Sequence, residues 1–227
     1  MVHHGLLRHM IADVYAEAKL PESAALRAAA AYTLLNTTLR RRGVLCGETA
    51  AWVHLGGAAA ERITVITQGV SPRQVASAGR WQLHQIAVDP GQIEMLGPAQ
   101  TTTALRTAAD LFCGFGVQGC REPLDRVARD SPGSNLAQQS LQHWPAVHAP
   151  LRGRDESLTD LGPVDQLRIR RRWTAIAALC RDFHLNADQL ADTVLGILSR
   201  TSWDLRRRDR VRQLLDHCIS RRLPTVR

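Results

Sequence analysis

The sequence predicts an α+β fold: a small mixed β-sheet packed with helices, flanked by N-terminal helices and a C-terminal basic helical segment. Three observations predict it. Apolar residues recur at helical spacing at both ends of the chain. Short β-branched runs bounded by turn residues fall between Arg62 and Leu96. A stretch rich in Pro and Gly, 131–163, then sets the basic helical end apart.

From the N-terminus, Leu7, Met10, Ile11, Val14 and Ala18 share one face of a helix predicted over 5–19. Pro21 opens a second, Ala-rich helix to about Leu35, because its missing N–H has no helical partner in a first turn. Asn36-Thr37-Thr38 reads as a break before Leu39 and the triplet Arg40, Arg41, Arg42, and Gly43 ends the segment. No wing-like β-hairpin is expected in these first residues. Glu48–Leu55 has helical composition and stops at Gly56-Gly57. Arg62–Thr67 alternates as a strand, and Trp81–Val88 is a second strand after a polar loop. Asp89-Pro90-Gly91 is a turn, since Pro presets φ and Gly accepts positive φ. Ile93–Leu96 is a third short strand, and Thr103 caps a helix over Ala104–Phe112. Beyond 163, one helix carries the stripe Trp173, Ile176, Ala177, Cys180, with Phe183 as a further member. Asn186 caps the next, with Leu190, Val194, Ile197 and Leu198 inward. Thr201–Asp204 fits a capping box ahead of a last helix, Leu205–Ser220, whose Val211, Leu214, Leu215 and Cys218 turn inward and leave Arg206, Arg207, Arg210 and Arg221 outward. The divisions expected are 1–42, 43–130, a linker over 131–163, and 164–227.

With 227 residues the chain is long enough for one well-filled core or two small ones. Only 4% of residues are aromatic, so the core is built mostly from Ala, Leu, Val and Ile. The net charge is +8, and Lys19 is the only lysine. Residues 164–227 hold 14 Arg against 7 Asp and no Glu, which places most of the excess at one end. Charge held on one segment points to a polyanionic or acidic partner, for which Arg206, Arg207, Arg208 and Arg210, with Arg40, Arg41 and Arg42, are the candidates. The alternative is a solvated helix face. Five cysteines with no CxxC spacing read as reduced thiols rather than a disulfide framework or zinc site. No signal-like or membrane-length apolar run is seen, so a cytoplasmic protein with no membrane contact is expected.

Catalytic patterns are mostly missing. There is no G-x-S-x-G, H-E-x-x-H, EF-hand loop or Walker A loop, and no metal site or cofactor is expected. Arg181-Asp182 with Asn186 is one residue short of a kinase catalytic-loop spacing. Gly114, Gly116 and Gly119 match G-x-G-x-x-G, but a dinucleotide loop needs a strand before it, and here a helix precedes. The glycines then read as a helix C-cap and flexible link, or as a phosphate loop.

Three pieces of the region 41–112 resemble the AbiEi family of antitoxins, in the family's order. Thr49-Ala50-Ala51-Trp52-Val53-His54-Leu55-Gly56 is similar to its Ser/Thr-Ala-Ala…His-Gly helix, with Leu55 inserted before the glycine. The strand Ile63–Ile66, a loop bearing Arg73 and Arg80, and a strand bearing His84 follow. Thr101-Thr102-Thr103-Ala104-Leu105-Arg106-Thr107-Ala108-Ala109-Asp110-Leu111 resembles the family's threonine and Arg-Thr-Ala…Asp-Leu signature. Within it Arg106 and Asp110 are i, i+4 and share a helix face, which suits a structural pair. The resemblance implies a protein that neutralises a cognate nucleotidyltransferase-like toxin, with Thr49, His54, Thr101, Thr103, Arg106, Thr107 and Asp110 as structural or toxin-facing residues. It also implies an alternative, repression of its own promoter DNA. A third function is an atypical serine-kinase-like enzyme that phosphorylates the toxin, with ATP held at Gly114, Gly116 and Gly119. The absence of a base or kinase-type lysine makes a non-enzyme the expectation.

Overall fold

A computed structural model of the chain describes residues 5–69, 81–119, 121, 123–124, 162–198 and 205–220. The chain forms two compact units, 1–107 and 108–227, and the division falls inside a helix. The expected divisions at 42/43 and 130/131 do not coincide with it. The linker expected over 131–163 and the capping box at Thr201–Asp204 lie, up to 161 and throughout respectively, outside the described residues.

The first unit opens with β1 (Leu7–Ile11) and β2 (Val14–Glu17), an antiparallel hairpin with Leu7 opposite Glu17 and Ile11 opposite Val14. It replaces the helix expected over 5–19, and a β-hairpin stands where no wing-like one is expected. The turn residue Ala12 has φ +49°, a conformation that alanine seldom adopts and that no glycine announces. A register shift between His9 and Ile11 breaks strict alternation, so Met10 and Ile11 are both buried and mimic a helical stripe. Across the strands, the His9 and Tyr15 rings meet edge to face at 5.3 Å.

Helix α1 (Ala24–Thr33) begins at Ser23, whose Oγ accepts from Leu26 N at 3.2 Å, rather than at Pro21. Asn36 starts α2 (Thr37–Arg42) by accepting from Leu39 N at 2.9 Å, so the expected break is a cap. Gly43 ends that segment as expected, as the C-cap of α2 whose N–H donates to Leu39 O, and it also begins β3 (Gly43–Leu45), where a Cβ would lie 2.7 Å from Val65 Cγ1. Helix α3 (Gly47–Leu55) is buried through Thr49–Val53 and ends at Gly56, φ +79°. Strands β4 (Ile63–Thr67), β5 (Trp81–His84), β6 (Ile93–Leu96) and β7 (Ala99–Thr102) complete a five-stranded sheet in the order β5-β4-β3-β7-β6. The second strand stops at His84 rather than Val88. Neither β3 nor β7 was expected. β3 is antiparallel to β4 and parallel to β7, where Leu45 faces Thr101. β4 and β5 are parallel, and β6 and β7 antiparallel.

Alternation along the strands sends side chains to two cores. Leu45, Ile63, Val65 and Ala99 join Ala28, Ala31, Leu39 and Trp52 on one face, with Met10 and Ile11 of the hairpin. Val44, Cys46, Ile66 and Val88 form a smaller cluster on the other. The hairpin and α1 thus share the core of the sheet.

Helix α4 (Ala104–Cys113) leads into the second unit, which contains α5 (Pro163–Asp182), α6 (Ala187–Leu198) and α7 (Leu205–Ser220). Asn186 caps α6 as expected, accepting from Asp188 N at 2.7 Å. Of the residues read as inward, Ile176, Ala177, Cys180, Leu190, Val194, Val211 and Leu215 are buried, Trp173, Ile197, Leu198, Leu214 and Cys218 are half-buried, and Phe183 is exposed because the helix ends at Asp182. The fold is α+β. Among the described residues no helix is long and apolar enough to cross a membrane.

Candidate functional site

The pieces that carry the resemblance meet in the first unit, and each contact has a local cause. The first turn of α3 needs acceptors for its free N–H groups, and Cys46 at its N-cap offers none. A strand neighbour supplies one instead: Thr64 Oγ1 accepts from Thr49 N at 3.3 Å, and Thr49 Oγ1 accepts from Thr64 N at 2.9 Å. Thr64 also donates to Cys46 O. The threonine pair therefore fastens α3 to β4.

The other end of α3 is closed by an arginine that sequence reasoning missed. Arg27, buried in α1, donates through Nε to Val53 O at 2.9 Å and through Nη2 to His54 O at 3.2 Å. Its Nη1 reaches Glu22 Oε1 at 2.9 Å. A cation at the negative end of a helix is favourable, and here it also satisfies terminal carbonyls. The one signal in the sequence is an arginine on the buried face of an alanine-rich helix.

His54 projects from the last turn of α3 onto β7. Its Nε2 lies 2.8 Å from Thr102 O, and a carbonyl only accepts, so Nε2 carries the proton. Glu94 Oε1 lies 3.9 Å from the same nitrogen. Burial holds the imidazole pKa below its ordinary value, against the opposing pull of the Thr102 carbonyl and Glu94. His54 is thus a neutral tie between α3 and the sheet.

At the β7–α4 corner, Thr107 Oγ1 donates to Thr102 O at 3.1 Å. Its single proton is then spent, so the 2.7 Å contact between the two hydroxyls has Thr102 as donor. Thr103 caps α4 as expected, its Oγ1 accepting from Arg106 N at 3.4 Å. Arg106 Nη1 donates to Gln92 Oε1 at 2.7 Å, across to the turn before β6. Thr101, Thr102, Thr107 and Asp110 are all buried. Thr49, His54, Thr102, Thr103, Arg106 and Thr107 act as joints between elements of the fold.

The remaining candidates separate. Gly114, Gly116 and Gly119 all have positive φ and follow the C-terminus of α4. A Cβ on Gly114 would lie 2.0 Å from Arg121 O. Phosphate loops use the N-terminal end of a helix, where N–H groups face the anion. The C-terminal carbonyls of α4 instead take Arg172 of α5, whose Nε donates to Leu111 O at 2.8 Å and Nη2 to Phe112 O at 3.0 Å. The glycines therefore follow a helix exit closed by a buried arginine, and the amide end of α4, where an anion would sit, is not beside them. Arg40 turns back to Tyr32 O and Thr33 O, at 3.3 and 2.9 Å, and stacks over the Tyr32 ring. Arg41 and Arg42 are exposed. Arg208 pairs with Asp192 at 2.8 Å and Arg212 with Asp188 at 2.9 Å, while Arg210 is half-buried rather than outward. The side chains of Arg206 and Arg207, and all of Arg221, lie outside what the structure describes. Among the described residues, no group of three His, Cys, Asp or Glu is placed to hold a metal ion.

No protein-family model, curated protein or solved structure matches the chain.

Proposed function

We propose that this protein is an antitoxin that neutralises a nucleotidyltransferase-like toxin. One observation supports the reading most. The three sequence pieces that resemble the AbiEi antitoxins are separate in the chain, and their side chains form one hydrogen-bonded unit. Thr49 of the first piece bonds Thr64 of the second, and His54 of the first bonds Thr102 of the third. Thr49, His54, Thr102, Thr103, Arg106 and Thr107 are committed to carbonyls, caps and neighbouring side chains, which suits a rigid binding scaffold, while the buried Thr101 hydroxyl has no hydrogen-bond partner among the described residues. The kinase-like alternative draws no support from Gly114, Gly116 and Gly119, which stand at the carbonyl end of α4.

Co-expression tests the reading. A nucleotidyltransferase-like toxin encoded beside this gene should arrest growth alone, and this protein should restore growth at matched expression. Persistent arrest with soluble, folded protein present refutes the proposal.

A further inference from the structure

Arg208 and Arg212 of α7 are not bare. Arg208 Nε lies 2.8 Å from Asp192 Oδ1, and its Nη2 is 3.9 Å from Asp188 Oδ1. Arg212 Nε lies 2.9 Å from Asp188 Oδ1 and 3.8 Å from Asp216 Oδ2. Asp188 and Asp192 are i, i+4 on α6, and Arg208 and Arg212 are i, i+4 on α7. Each row thus repeats at about 6 Å along its helix. A row of carboxylates is laid against a row of guanidinium groups, at a spacing close to that of successive phosphates on one nucleic-acid strand.

This ladder is a poor stability device. Its side chains are 27–54% exposed, and exposed pairs contribute only about 0–1 kcal/mol each. Stability also gives no reason to crowd Arg206, Arg207, Arg208, Arg210 and Arg212 toward the N-terminal half of α7, where the helix dipole disfavours cations. Only Asp209 and Asp216 offset them on α7, and the two aspartates of α6 have no basic residue on their own helix. The fork of arginine fits phosphate with two parallel bonds, and a duplex gains further by releasing condensed counterions, a gain that an acidic protein surface lacks.

We propose that the α6–α7 hairpin is a masked nucleic-acid-binding surface, in which Asp188 and Asp192 occupy Arg208 and Arg212 as stand-ins for duplex phosphates. In the unaltered chain the two carboxylates hold Arg208 and Arg212 away from phosphate, so neutralising Asp188 and Asp192 adds phosphate contacts to the complex. The inference is independent of the antitoxin reading, and its test contains no toxin.

The test is a salt titration of the full chain against a short fluorescent DNA duplex of random sequence, read by anisotropy, with circular dichroism as the folding control. D188N/D192N frees two arginines. At about 0.9 per phosphate contact, the log–log salt slope should steepen by about 1.8. The affinity lost between about 50 and 200 mM salt should then grow roughly twelvefold. D192N alone should give about half the change in slope, and it decides the matter if the double variant does not fold. Adding R208Q/R212Q to D188N/D192N should abolish the gain. Adding R171Q/R181Q, the same loss of charge from exposed arginines of α5, should preserve it. An unchanged slope in folded variants overturns the proposal, as does a gain that survives R208Q/R212Q. A gain for polyglutamate without one for DNA would assign the surface to an acidic protein and overturn it equally.

Discussion

Thr107→Val removes one hydroxyl from a fully buried site while nearly conserving shape, so its cost isolates the joint between β7 and α4. Two hydrogen bonds disappear, one to Thr102 O and one from the Thr102 hydroxyl. Each is worth about 0.5–1.5 kcal/mol net, and a stranded Thr102 hydroxyl costs about 1–3 kcal/mol before any relaxation. The Thr102 carbonyl keeps its bond from His54, which limits the damage. A loss of about 2–3 kcal/mol is expected, or roughly 4–12 °C in Tm for a chain of this size. Thr102→Val should cost about 1 kcal/mol, because Thr107 still has a carbonyl to bond. In the double variant no hydroxyl is stranded, so the loss should stay near that of Thr107→Val alone. Urea unfolding of the four proteins gives the coupling directly, expected at about 1 kcal/mol or more. Additivity within about 0.5 kcal/mol, or a Thr107→Val cost below that, would show that the two threonines do not act as one joint.

Two other outcomes follow from buried groups. Arg172→Leu removes two charged hydrogen bonds, to Leu111 O and Phe112 O, worth about 1.5–3 kcal/mol each, and because Gly114 N still donates to Leu111 O it should cost about 2–4 kcal/mol in urea unfolding; a loss under about 1 kcal/mol would mean that Arg172 does not close α4. Burial lowers the His54 pKa, so the folded chain binds this proton less readily than the unfolded chain. Its share of stability is therefore full above the ordinary 6.5 and is lost as pH falls through that value toward the lower folded pKa. His54→Asn should flatten the pH dependence of the urea midpoint in that window, and an unchanged profile would place the titration elsewhere.

The elements legible in the sequence were those whose periodicity is long or whose caps are chemically distinctive. Thr103 and Asn186 were found because their side chains satisfy N–H groups in a way only a few residue types do. α3, β4 and β6 were found from local pattern. β3 spans three residues, too few to show a period, and β7 reads Ala-Gln-Thr-Thr, which has no apolar alternation. The hairpin is hidden because its Ala12-Asp13 turn has no glycine although Ala12 takes positive φ, and a bulge gives its buried side chains a helical rhythm. Within the site, the threonines and His54 were visible as a pattern, but Arg27, Thr64, Gln92 and Arg172 were not. Each acts on backbone or side chains distant in sequence, and such partners leave no local signature.

The parallel seam at the middle of the sheet sets a schedule for the nascent chain. β3 can pair with β4 as soon as the loop between them closes, but its other edge waits for Thr101, 56 residues after Leu45. At about 5–20 residues per second that edge stays open for roughly 3–11 seconds on the ribosome. During that interval the Gly43-Val44-Leu45 backbone offers unpaired N–H and C=O groups to any passing strand. A chain cut or stalled before β7 therefore presents a half-built sheet with a bare central strand. Its own synthesis rate, and the company it keeps while being made, bear on whether the finished molecule is ever reached.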